Sequence, residues 1–132
     1  MKPLFLATLV IGGYLPATLS GAQDELGQVA GDWRGDSTCV AKGTACRDEV
    51  VVYHIAVLPS KPSSVSVSAD KIVDGRAINM GTLEFRYEPK DHLLICEYSQ
   101  GVWRMKVDGQ AMEGTLTRAD NSKFRHITLR KD

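Results

Sequence analysis

Residues 102–118 read VWRMKVDGQAMEGTLTR, and this stretch decides the fold. Its first half alternates Trp103, Met105 and Val107 with charged residues, and its second half keeps the same two-residue period. Successive side chains of a strand point to opposite faces, so each half predicts a strand with one apolar and one polar face. The Asp108-Gly109 pair between them favours a tight turn whose twist matches that of the strands it joins. The stretch therefore predicts an antiparallel β-hairpin with one side to bury.

Similar short runs, rich in Val, Ile, Thr, Tyr and Phe, occur on both sides of this hairpin. Clusters of Gly, Pro, Asn or Asp end the runs, as is typical of antiparallel strands joined by turns. No segment shows convincing helical periodicity, and residues 24–31 are expected to form no more than a short turn before the first strand. We predict about eight strands, at residues 33–40, 49–58, 65–73, 77–80 running into 81–87 as one bent or bulged unit, 93–99, 102–107, 111–118 and 124–130.

Short connections between neighbouring strands restrict the topology. A parallel crossover needs about a dozen connecting residues or more, so these strands are expected to form an antiparallel meander. A meander with one apolar face must bury that face, either by closing or by folding into two layers. Closure also removes unpaired strand edges. The sequence therefore predicts an all-β fold, an up-and-down antiparallel barrel that closes on itself.

The first residues predict a secretory leader. Lys2 supplies a positive charge, residues 4–15 are largely apolar, and Ser20-Gly21-Ala22 offers small residues for cleavage. The apolar run is about a dozen residues, short of the ~20 that cross a bilayer; the alternative is a buried N-terminal helix. We expect a signal peptide at residues 1–22, one barrel domain at residues 23–132, and a secreted or periplasmic product without stable membrane insertion.

Gly31-Asp32-Trp33, just before the first predicted strand, matches the G-x-W pattern that opens lipocalins and related calycin barrels. The chain resembles this superfamily in motif position, leader and meander order, as a compact bacterial variant. The resemblance implies that Gly31 and Trp33 are structural, that Trp33 closes the barrel floor, and that a basic residue of the final strand packs across the indole. Arg130 is the first candidate for that partner and Arg125 the second, because a cation over an indole face is favourable.

Three cysteines, Cys39, Cys46 and Cys96, would meet an oxidising compartment if the chain is exported. Cys39 and Cys46 flank a turn-rich stretch, so we expect these two to form a disulfide. Cys96 lies in an apolar segment and is expected to be a buried free thiol. A zinc site made from the three with a histidine is the alternative, but the spacing lacks the short Cys-to-Cys separation of structural zinc sites.

Charge and motifs argue against several classes of function. Sixteen Lys and Arg residues balance sixteen Asp and Glu residues, which gives no reason to expect nucleic acid or an anionic membrane as partner. His54, His92 and His126 are scattered, and no nucleophile–base spacing, phosphate-binding loop or metal-protease motif is present. We therefore expect neither an enzyme nor a cofactor or metal.

A lipocalin-like interior implies a small lipophilic ligand. The expected lining is the set of apolar side chains whose alternation turns them inward, together with Tyr98: Tyr53, Ile55, Leu83, Phe85, Tyr98, Trp103 and Met105. The alternative is that these side chains simply fill a small barrel. In that case the chain is a protein-interaction module that acts through its loops, as secreted inhibitors do, with Lys42 and Arg47-Asp48 of the Cys39–Cys46 loop as the expected contact.

Overall fold

The computed structural model describes residues 12–13, 21–40, 43 and 45–132. Most of the predicted signal peptide, including most of its apolar run, lies outside these residues. The described part of the chain contains no helix with the length and apolarity that crossing a membrane requires. The elements are α1 (Gly21–Val29), β1 (Gly31–Cys39), β2 (Glu49–Leu58), β3 (Lys61–Val73), β4 (Arg76–Glu88), a 3-10 turn (Pro89–Asp91), β5 (Leu93–Tyr98), β6 (Gly101–Asp108), β7 (Ala111–Arg118) and β8 (Lys123–Lys131).

The strands form a closed barrel in the order β1 to β8, with every neighbouring pair antiparallel and β8 paired to β1. This confirms the all-β, up-and-down meander that the alternation predicted. The hairpin of residues 102–118 forms as β6 and β7, with Trp103 opposite Leu116 and Val107 opposite Met112. Its Asp-Gly turn places Gly109 at a φ of 58°, a left-handed conformation that glycine adopts without steric cost.

β4 is one strand with a bulge, as the bent unit at residues 77–87 predicted. Ala69 of β3 lies opposite Gly81, and the next pair joins Asp70 to Asn79, so that Met80 is the extra residue. On its other side β4 pairs with β5 over residues 86–88 and 93–95, a much shorter ladder than the one it forms with β3. The upper part of β4 therefore diverges from β5.

Helix α1 closes one end of the barrel, where the sequence had predicted only a short turn. Leu26 and Val29, one turn apart, are almost completely buried, and Trp33 is fully buried beside them. The Trp33 indole N–H donates to the carbonyl of Val29 at 2.8 Å, and the Lys131 ammonium donates to the carbonyl of Gln28. The last carbonyls of a helix have no partner within the helix, so these two donors complete its C-terminal end. Nine residues are too few for a stable isolated helix, and packing on the barrel supplies the rest.

The floor corrects the predicted partner of Trp33. Arg130 is exposed and pairs with exposed Arg34, because it alternates with the inward-facing residues of β8 and so points to solvent. Lys131, the next residue, lies opposite Trp33 in the β1–β8 ladder. The second candidate, Arg125, lies further along β8, and the cations that stack on rings among the described residues contact Phe124, not Trp33. The prediction of Arg130 was wrong, because the next residue, Lys131, lies opposite Trp33 while Arg130 points to solvent.

The barrel is filled near α1 and open at its other end. Side chains between the helix and mid-barrel form a continuous apolar core: Leu26, Val29, Trp33, Ile55, Val65, Tyr87, Leu94, Met105, Met112 and Leu129. Cys39 and Cys46 form the expected disulfide, with Cα atoms 6.0 Å apart, beside the open end. Cys96 is a buried free cysteine, as predicted.

Candidate ligand-binding cavity

A cavity of about 430 Å³ occupies the barrel at the end away from α1. It opens to solvent beside exposed residues of β4 and of the β5–β6 turn, such as Met80 and Gln100. The residues that line it are Ser37, Glu49, Tyr53, Val67, Ala69, Met80, Gly81, Thr82, Leu83, Phe85, Tyr98, Gln100, Trp103, Leu116 and Arg125. The barrel is therefore filled by side chains in its lower half and open in its upper half.

Most of the predicted lining residues reach this cavity. Those on its wall are Tyr53, Leu83, Phe85, Tyr98 and Trp103. Ile55 and Met105 face inward as predicted but lie nearer the floor, where they are buried in the core instead of bordering the open space. Ile55 pairs with Gly31, next to the end of α1, and Met105 pairs with Leu94.

The cavity holds a charged cluster that the sequence analysis did not assign to it. Arg125 is 12 % exposed, and its Nη1 donates to the carbonyl and the hydroxyl of Ser37 at 3.3 and 3.1 Å. Its Nη2 lies 3.6 Å from a carboxylate oxygen of Glu49, which is 20 % exposed. Burying a guanidinium is costly unless it is paired and hydrogen-bonded, and this pair is only a loose one. The cluster therefore leaves an incompletely satisfied cation in the wall of the cavity.

Tyr53 adds a hydroxyl beside the same cluster. Burial raises the pKa of Tyr53, Arg125 acts in the opposite direction, and Glu49 adds to the rise. The hydroxyl therefore stays protonated at any physiological pH and remains able to donate a hydrogen bond.

The Trp103 indole N–H is buried and has no hydrogen-bond partner among the described residues. Burial raises the pKa of the neighbouring Tyr98 hydroxyl, and an interaction with the Trp103 side chain partly offsets that rise. The indole N–H does not meet the geometry of a hydrogen bond to this hydroxyl or to another described group. A buried donor without an acceptor is uncommon in folded proteins and calls for an explanation.

Strand parity contains the signal that would have identified the charged cluster. Arg125 shares its face of β8 with buried Ile127 and Leu129, and Glu49 shares its face of β2 with buried Val51 and Tyr53. Burying a charged residue on the apolar face of a strand costs free energy, so a charged residue in that position indicates a functional site.

A second, shallower depression of about 480 Å³ adjoins the cavity and shares Tyr98, Gln100 and Leu116 with it. Phe124 lies on its wall, with the Arg118 guanidinium carbon 4.2 Å from the ring centroid and that of Arg125 at 5.5 Å. The two arginines therefore contact one aromatic ring at the entrance.

Outside the cavity, the most connected polar group centres on His54. Its two ring nitrogens lie 2.7 Å from Asp32 Oδ1 and 2.8 Å from Asp70 Oδ2. These two hydrogen bonds raise the pKa of His54. Asn79 and then His54 hold the pKa of Asp70 below its ordinary value.

The other two histidines also have acidic neighbours. His126 lies 2.8 Å from Glu113. Near the floor, Tyr87 donates to Glu25 at 2.6 Å, and His92 Nδ1 lies 3.2 Å from the same hydroxyl.

Among the described residues, no group of three or more His, Cys, Asp or Glu side chains is arranged to hold a metal ion. Lys42, expected at the tip of the disulfide loop, lies outside the described residues, so a docking role for that loop stays a prediction.

Known structures resemble this barrel. The chain aligns with a siderocalin, Ex-FABP, described as functioning through dual ligand specificities, with a TM-score of 0.54 and 15 % identity over 79 % of this chain and 73 % of the other. It also aligns with the odorant-binding protein OBP1, with a TM-score of 0.50 and 13 % identity over 80 % of this chain and 74 % of the other. No protein-family model matches the chain, and no curated protein matches it in sequence. At such low identity the likeness concerns the fold, which is lipocalin-like, as the G-x-W motif predicted.

Proposed function

We propose that this protein is an exported, non-enzymatic binding protein that holds a small hydrophobic molecule in its lipocalin-like barrel. The observation that carries the proposal is the cavity of about 430 Å³, enclosed by the strands and closed below by the packed core and α1. Ligand pockets are usually concave, largely apolar and about 300–1,000 Å³ in volume. This cavity has those properties, and its apolar wall includes Val67, Leu83 and Phe85.

The fold likeness adds support of a weaker kind. Both structural neighbours are named for ligands or for ligand specificity, and neither is described as an enzyme. A shared fold alone does not transfer a function, so the cavity itself remains the stronger argument.

Two features favour export. The residues at positions 1–22 have the pattern of a secretory leader. The Cys39–Cys46 disulfide is the kind of crosslink that persists in oxidising compartments and is rare in the cytosol. Detection of the processed protein outside the cytoplasm, with residue 23 as its N-terminus, would test this part of the proposal.

Filling the cavity from within provides a direct test of binding. Ala69 lines the cavity, whereas Ala56 is exposed on the outer face of the neighbouring strand β2. We expect the neutral fluorescent probe N-phenyl-1-naphthylamine to bind the wild-type protein, Ala69→Phe to weaken binding by about tenfold or more, and Ala56→Phe to leave it unchanged. Equal effects of the two substitutions would place the probe elsewhere.

Failure of the wild-type protein to bind this or any other apolar probe would refute the carrier proposal. The remaining hypothesis would then be a protein-interaction module that acts through its loops. In that case the natural partner would be a protein, and its contacts would be sought at the open end beside the disulfide.

A further inference from the structure

Building on the proposed function, we propose that the ligand is an apolar carboxylic acid whose carboxylate binds Arg125 in place of Glu49. Three properties of the cavity support this assignment: the donors that remain unused, the burial of the two charged partners, and the distribution of polar and apolar residues around the barrel.

The hydrogen-bonding groups of Arg125 are only partly used. A guanidinium carries five N–H donors, and at this residue Nη1 serves Ser37 while Nη2 lies 3.6 Å from Glu49. Among the described residues, Nη2 and Nε make no hydrogen bond. Arginine binds carboxylates through two parallel N–H donors, and such paired bonds are among the strong ones in proteins.

Two other polar groups of the cavity offer hydrogen-bond donors. Trp103 presents a buried N–H without an acceptor, and Tyr53 presents a protonated hydroxyl. Trp103 pairs with Leu116 and Leu116 pairs with Arg125, so that the indole and the guanidinium belong to one row across β6, β7 and β8. Among the described residues, Glu49 is the one carboxylate on the cavity wall. The guanidinium, the indole N–H and the Tyr53 hydroxyl are donors that suit a ligand with acceptor oxygens.

Arg125 is better placed than Glu49 to bind the charged head group of the ligand. Arg125 is the more buried of the two and is tied to Ser37 by hydrogen bonds, whereas Glu49 makes none among the described residues. Glu49 is also the first residue of β2, at the open end, where its carboxylate can turn to water. An entering carboxylate therefore replaces a loose partner without leaving a buried charge unpaired.

The cavity is polarised in a way that suits an amphipathic molecule. Both of its charged side chains, Glu49 and Arg125, lie on β2 and β8, with the Ser37 and Tyr53 hydroxyls beside them on β1 and β2. Most of its apolar residues lie on β3, β4 and β6, where Thr82 and, on β5, Tyr98 add two further hydroxyls. In a closed barrel of eight strands, β4 stands opposite β8. A ligand whose head lies on Arg125 thus extends its apolar body toward Leu83 and Phe85.

The test compares three probes with the same chain and different head groups, namely dodecanoate, 1-dodecanol and dodecylammonium, at pH 7 by displacement of the naphthylamine probe. We expect dodecanoate to bind about 10- to 100-fold more tightly than dodecanol, the range expected for a charge-assisted pair. Arg125→Gln should bring this ratio close to one. The matched control is Arg130→Gln, an exposed arginine on the outer face of the same strand, which should preserve the ratio.

Glu49→Gln supplies a second variant that does not depend on Arg125→Gln being able to fold. Because Glu49 competes for Arg125, its neutralisation should raise dodecanoate affinity severalfold and increase the ratio of dodecanoate to dodecanol affinity. Equal binding of all three probes, preferential binding of dodecylammonium, or a dodecanoate preference that survives Arg125→Gln or falls in Glu49→Gln would overturn the assignment while leaving the carrier proposal standing. Absence of binding by all three would refute the carrier proposal and this assignment together.

Discussion

The two tryptophans provide a matched pair for measuring what holds the floor of the barrel. Trp33 is fully buried and donates its N–H to Val29, whereas the Trp103 N–H has no hydrogen-bond partner among the described residues. Replacement of either by Phe removes the same atoms. The difference between the two variants therefore contains the hydrogen bond between β1 and α1 together with the difference in packing at the two sites.

The expected magnitudes follow from burial. Trp33→Phe leaves the buried Val29 carbonyl without its donor, a loss of about 1–3 kcal/mol in the free energy of unfolding. The space vacated by the larger ring adds roughly 1 kcal/mol if it stays unfilled, at about 24 cal/mol per Å³. Trp103→Phe incurs at most a similar packing loss and removes an unsatisfied donor, so its net effect should lie within about 1 kcal/mol of zero.

Urea unfolding followed by far-ultraviolet circular dichroism is the appropriate assay, since each variant removes one of the two tryptophans used for fluorescence. We expect Trp33→Phe to lower the free energy of unfolding by about 2–4 kcal/mol with an unchanged denaturant slope. Equal losses in the two variants, or a larger loss in Trp103→Phe, would refute the stabilisation of the floor by the Trp33–Val29 hydrogen bond.

Three further predictions concern the disulfide, the outer face and the glycines. Replacement of Cys39 and Cys46 by Ser should lower the free energy of unfolding by about 2.5 kcal/mol, the loop-closure value for so short a loop, measured by urea unfolding; no change would contradict it. Because the pKa of His54 is raised in the folded state, its two carboxylate contacts stabilise the fold fully below about pH 6.5, the pKa of an unfolded histidine. This contribution is lost as pH rises through the folded pKa. His54→Gln should therefore lower the free energy of unfolding more at pH 6 than at pH 9, and the reverse order would contradict the prediction. A Cβ at Gly35 would collide with a backbone carbonyl of β8, whereas Gly27 in α1 has open space, so thermal unfolding should show Gly35→Ala strongly destabilised and Gly27→Ala stabilised by up to about 1 kcal/mol.

Much of the barrel could be predicted because strand periodicity is a local property of sequence. The alternation at residues 102–118 and the inward set on β2 and β4 required no knowledge of distant contacts. β2 begins and ends as predicted, and the bulge in β4 was expected from its bent unit. Helix α1 was missed because its stability comes from tertiary packing of Leu26 and Val29, which a nine-residue segment does not reveal in isolation.

The site was harder to predict because it depends on where the packed core stops. Ile55 and Met105 face inward like Tyr53 and Trp103, and alternation alone does not tell a residue in the filled half from one on the cavity wall. Arg125 was instead considered as a partner for Trp33, since the family resemblance directs attention to the floor. Its parity with Ile127 correctly places it inside the barrel, but its depth along β8 follows from the register with β1.

The brief ladder between β4 and β5 makes the barrel wall unequal around its circumference. Local openings in a folded protein occur where few hydrogen bonds must break, and this seam holds fewer than its neighbours. Phe85 of β4 lies on one side of this seam, and Tyr98 of β5 and Trp103 of β6 lie on the other. If the barrel holds a ligand in its upper half, as proposed, this seam borders the ligand in addition to the open end, and the rate of ligand release would depend on how often the seam opens.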